Sequence, residues 1–221
     1  MDGGIDTFES NVEIRLAGFL RINRLATPRF SLRGKAKVER AASTSPEIAR
    51  FQALMTLKEM NLVGRVLGAK IKLSLSPTQE SKGIVEGRAD PRSLDPTQPD
   101  PTGTLKSRFD VYVEITTPQG TMYNKEPLSM KAKLRSVPPG WAKYKQSIPS
   151  TTLFDKAMDA LTADIVNATL TVKLVSSKPL PTVAPVDSKP LPAGEAIGTS
   201  PIEPEANVTA QAEKAAEGPP Q

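Results

Sequence analysis

Carboxylates are the first residues to test for chemistry, because the 221-residue chain contains no histidine and no cysteine. Ser–His–Asp and Cys–His catalysis are excluded with them, as are imidazole and thiolate zinc sites. Asp110 and Glu114 share one parity of the apolar run Phe109, Val111, Val113, Ile115. A strand would hold them on one face, about 13 Å apart by rise. That is too far for a glycosidase pair, and each is expected to face a lysine on a neighbouring strand. Asp90, Asp95 and Asp100 recur in a loop with Pro91, Pro96, Pro99 and Pro101. Their spacing lacks the order and the glycine of an EF-hand, so a solvated turn is expected there ahead of a calcium site. Gly83–Gly87 and Gly64–Gly68 lack the spacing and the Lys-Ser/Thr ending of a phosphate loop and read as turns or bulges. The chemistry therefore points away from an enzyme, and no cofactor or metal is expected.

Binding residues stand out more clearly. Arg33, Lys35 and Lys37 form one basic stripe, and Lys131, Lys133 and Arg135 form another. Either could align with Lys70 and Lys72, or with each other, and attract a polyanion through salt-dependent contacts. Lysine on outward and edge positions also guards a sheet against aggregation. Trp141, Lys143 and Tyr144 follow Pro138-Pro139-Gly140 and make a candidate interface anchor. The plainer reading has Trp141 covering the open end of the core.

The elements that must position these residues read mostly as strands. Val12, Ile14 and Leu16 alternate with charged residues, and the same period of two recurs in Phe30–Val38, Phe51–Leu57, Ile71–Leu75, Phe109–Ile115, Leu128–Leu134 and Leu170–Leu174. Phe19–Ile22 can extend the first strand past Gly18. A helix over Pro46–Met60 competes with the third strand, which its neighbours favour. Thr117–Thr121 reads as a hairpin turn before Met122-Tyr123. Phe154, Ala157, Met158, Leu161 and Ile165 fit the 3.6-residue period and predict one helix near 154–166. The fold class expected is mainly β: an antiparallel β-sandwich, or a β-rich α+β domain with one late helix.

Domain limits follow from composition. Residues 1–175 can bury a core. Ser176–Gln221 holds nine prolines, no aromatic residue, three lysines and six acids, and is expected to be a disordered acidic tail. The formal charge of +5 thus divides into about +8 on the body and −3 on the tail. A basic body favours anionic partners. The Ser-Lys-Pro-Leu-Pro repeats at 177–181 and 188–192 lack the PxxP pattern of SH3 ligands. The sequons at Asn167 and Asn207 matter only in a glycosylating compartment. The acidic, Gly-rich start carries no signal-peptide pattern, and no stretch is long enough for a membrane helix, so a cytoplasmic setting is favoured over an exported one.

The stretch from Phe109 to Leu128, followed by Val137-Pro138-Pro139-Gly140, resembles an uncharacterised bacterial β-rich domain found in exported or surface proteins. Glu59–Gly64 fits the same pattern, so the resemblance spans most of residues 8–155. It implies a β-rich fold and assigns no activity and no site residue. The functional expectation is a non-catalytic structural or protein-binding module, a subunit of a larger assembly or self-associating. The alternative is a basic protein that binds nucleic acid or an anionic surface.

Overall fold

Apolar and polar side chains alternate along every long strand, and that alternation builds the molecule. The computed structural model describes residues 2–18, 29–44, 49–66, 68–92, 98–157 and 159–180. Contacts divide the chain into Met1–Pro181 and Thr182–Gln221, and the second unit lies outside the described residues. So does the Phe19–Ile22 segment.

Twelve strands follow one another: β1 (Gly4–Ala17), β2 (Arg29–Arg40), β3 (Arg50–Val66), β4 (Ala69–Leu75), β5 (Ser81–Arg88), β6 (Leu105–Val111), β7 (Val113–Thr117), β8 (Gly120–Asn124), β9 (Leu128–Leu134), β10 (Trp141–Gln146), β11 (Thr151–Asp155) and β12 (Leu161–Pro179). All pair antiparallel in a single sheet. Antiparallel pairing agrees with the sequence, but two features do not. One continuously paired sheet replaces a two-sheet sandwich, and there is no helix among the described residues.

The predicted helix is a hairpin. Thr151 pairs with Ile165, Thr152 with Asp164 and Phe154 with Leu161. The backbone N–H of Asp155 donates to Ala160 O, and its carboxylate accepts from Ala157 N–H, so Asp155 closes a turn instead of starting a helix. Phe154 lies on the Tyr123 ring of β8, with the Lys125 ammonium 4.2 Å from its centre. The short strand β11 reversing through a turn into the long strand β12 had placed apolar residues at helical intervals by coincidence. Thr151, Thr152, Thr162, Ile165 and Val166 carried the contrary signal, since β-branched residues favour strands. Met158 lies outside the described residues. Ser176–Pro179, assigned to the tail from composition, complete β12 against Gly4–Thr7.

The pairing closes on itself twice. The long strands β1, β2, β3 and β12 lie side by side. From the C-terminal half of β3 the ladder runs through β4, β7, β8 and β11 to the start of β12. From the N-terminal half of β3 it runs through β5, β6, β9 and β10 to the later part of β12. Two circuits of eight strands therefore share four. Each encloses its own part of the core.

Polar side chains stitch the seam where strands pass from one circuit to the other. β6 and β7, expected as one strand, break at Tyr112, whose N–H donates to Ser81 Oγ. Buried Asn124 accepts from Val113 N–H and donates to Val111 O and Glu126 O. At the end of the long strands, buried Asp6 accepts from Arg40 Nε at 3.2 Å and from Ser177 Oγ at 2.6 Å.

Candidate functional site

Both circuits bury side chains completely. Ile14, Leu16, Ile115, Leu153 and Ile165 in the first have at most 1% of their surface accessible, as do Phe51, Val85 and Leu105 in the second. In the second, an apolar cavity of about 40 Å³ also remains between the strands. Phe8 and Val172 line it from the long strands, Met55, Met60 and Met130 from three directions, and Val137, Pro138 and Pro139 from the loop after β9. Asp6 is the one charged residue on its wall, and its carboxylate is already bound to Arg40 and Ser177. Gly83 helps shape this end, because a Cβ there would lie 2.5 Å from the Phe109 ring. Gly83 and Gly87 lie within β5 and Gly64 within β3, so they admit neighbouring atoms instead of making turns.

The loop that lines the cavity joins β9 to β10. That hairpin pairs only at Lys131 with Lys145 and Met130 with Gln146, so the strands diverge towards the 135–140 loop. Tyr144, expected to anchor an interface, points inward instead. It is buried on the cavity wall, packs edge-on to Phe109 at 5.7 Å and hydrogen-bonds Ser107 at 3.0 Å. Burial raises its phenol above the ordinary tyrosine value, against the smaller opposing effect of the Ser107 hydrogen bond. Trp141 is 62% exposed and does not cover the core.

The basic stripes separate. Lys35 on β2 stands opposite Glu9 of β1, and Lys37 pairs with Glu59 of β3 at 2.9 Å. Arg33 lies between Asn11 and Val63. β2 is not a neighbour of β4 or β9, so Arg33, Lys35 and Lys37 do not align with either of the other groups. Lys131 and Lys133 instead face Arg108 and Lys106 of β6, with Lys145 on the other side of Lys131. Lys143 also lines this depression, while Arg135 is exposed just past the end of β9. Lys106, Arg108 and Lys145 were missed from the sequence. Their outward parity was legible, but their strand neighbours were not.

The acids play structural parts. Asp110 binds Arg108 at 2.7 Å and accepts from Ser129 Oγ. Burial opposes its ionised form, yet the Ser129 hydroxyl and the Arg108 guanidinium hold it below the usual carboxylate range. Glu114, on the separate strand β7, pairs with Lys156 at 2.6 Å. Asp90 and Asp100 accept from the backbone N–H groups of Arg92 and Thr102 in tight turns, and Asp95 lies outside the described residues. No three Asp or Glu residues converge for a metal among the described residues.

Among the described residues these features define an all-β protein whose single sheet closes into two circuits, with an apolar cavity in one of them. No protein-family model and no curated protein matches the chain. Among solved structures it is similar to DynF from the dynemicin biosynthesis pathway of Micromonospora chersina. The TM-score is 0.63 and the identity 24%, over 78% of this chain and 81% of that one. The likeness extends to the β-rich fold.

Proposed function

We propose that the protein is a non-catalytic binding module whose second core takes up a slender apolar molecule. The carrying observation is the apolar cavity inside the second circuit. A void of that size forfeits about 1 kcal/mol of packing. Met55, Met60 and Met130 suit a variable occupant, because unbranched thioether side chains repack at little cost. The divergence of β9 from β10 beside the 135–140 loop supplies a route inward. A protein partner or a second copy would meet a sheet face, or the stretch where Ala132–Leu134 of β9 and Trp141–Tyr144 of β10 do not pair with each other.

Titration with the uncharged fluorophore N-phenyl-1-naphthylamine tests the reading. Saturable one-to-one enhancement is expected. Ala36 lies on the cavity wall between Phe8 and Met60. Ala36→Val fills space there, so it should weaken binding at least tenfold and leave the melting temperature unchanged or raised. A native protein that gives no enhancement overturns the proposal.

A further inference from the structure

The outer wall of the hollow circuit carries cations set directly against cations. Lys106 faces Lys133, Arg108 faces Lys131, and Lys131 faces Lys145. Lys143 continues the row on β10, and Lys173 stands opposite Trp141 on β12. The acids in reach are Glu86, opposite Lys106, Asp110, already bound to Arg108, and Glu9, which stands between Lys173 and Lys35. Like charges placed across a ladder destabilise it. A guard against aggregation does not account for the pairs between β6 and β9, because that device belongs on open edges and these two strands pair with each other along Leu105–Val111 and Leu128–Leu134.

Two exposed apolar side chains adjoin this charge. Trp141 opens β10, and Val175 is 54% exposed two residues along from Lys173. Val175 occupies the bulge where β12 slips a residue against Thr7 and Phe8. We propose that this face docks on an anionic lipid bilayer, with the cations on headgroup phosphates and Trp141 and Val175 at the boundary with the acyl chains. Such a surface offers negative charge outermost and apolar matter just beneath, in the order this face presents their complements. Duplex DNA would satisfy the lysines and leave Val175 against nothing apolar. Single strands call for several stacking rings, and this face carries only Trp141.

The test uses the full chain and vesicles of phosphatidylcholine with or without phosphatidylglycerol. Trp141 is the sole tryptophan, so its emission reports directly on the face. Co-sedimentation with the anionic vesicles and a blue-shifted emission are expected, both fading as salt rises. Lys133→Glu and Lys143→Glu, at exposed positions, should each weaken partitioning about fivefold or more with an unchanged melting temperature. Three outcomes overturn the proposal: no vesicle binding at low salt, equal binding to neutral and anionic vesicles, or capture by DNA or polyglutamate while vesicles are ignored. The vesicles read the outer wall and the naphthylamine titration reads the interior, so either proposal can fail alone.

Discussion

Asn124 shows how one buried side chain can hold two circuits together. Its amide satisfies a backbone N–H and two carbonyls where the ladder is interrupted, and those of Val113 and Val111 lie in the buried interior. Asn124→Ala should therefore cost about 3 kcal/mol or more, read as a lower urea midpoint with an unchanged slope. Tyr144 gives a prediction in pH. Its raised phenol means that the folded state favours the neutral ring. That contribution is whole below the ordinary tyrosine value of about 10 and is lost as pH rises through the higher folded value. Chemical denaturation across alkaline pH should show stability falling there, and Tyr144→Phe should flatten that limb. Neither role was legible in the sequence. Tyr144 sat among lysines and a tryptophan, and alternation alone did not say that its parity, not that of Trp141, faces the core.

At the scale of elements, close approaches decide the long strands. A Cβ on Gly34 would lie 1.9 Å from Asn61 O, and one on Gly64 would lie 2.3 Å from Ser31 O. These glycines let β2 and β3 press together as they leave one circuit and enter the other. Gly34→Ala should destabilise by about 2–4 kcal/mol, whatever it gains in strand propensity, and a thermal melt would show it. Long alternating strands were readable because the period of two records a buried face directly. The hairpin at 151–165 was not, because two strands reversing through a turn can mimic the 3.6-residue spacing. β5 was missed because its glycines look like turn residues until Phe109 and Leu105 are seen lying over them.

For the whole molecule, the cavity and the short β9–β10 ladder in one circuit should appear in the dynamics. Amides of Ile14, Leu62 and Ile115, in the first circuit, are expected to exchange hydrogen most slowly. Those of β10 should exchange sooner, because its ladder with β9 is limited to two residue pairs. Equal protection throughout would mean that the hollow circuit opens no more readily than the first.

The sequence by itself determined the chemistry that is excluded, the strand character of most of the body and the outward parity of its lysines. Those follow from residue types and from the alternation of side chains along a single extended chain. Only the tertiary structure decided that one sheet closes twice and that one core stays hollow. It also decided that Lys106, Arg108, Lys131, Lys133, Lys143 and Lys145 share a wall while Lys35 and Lys37 meet acids elsewhere and Arg33 lies between Asn11 and Val63. Strand order brings together residues far apart in the chain, and a local period contains no record of which strand lies beside which.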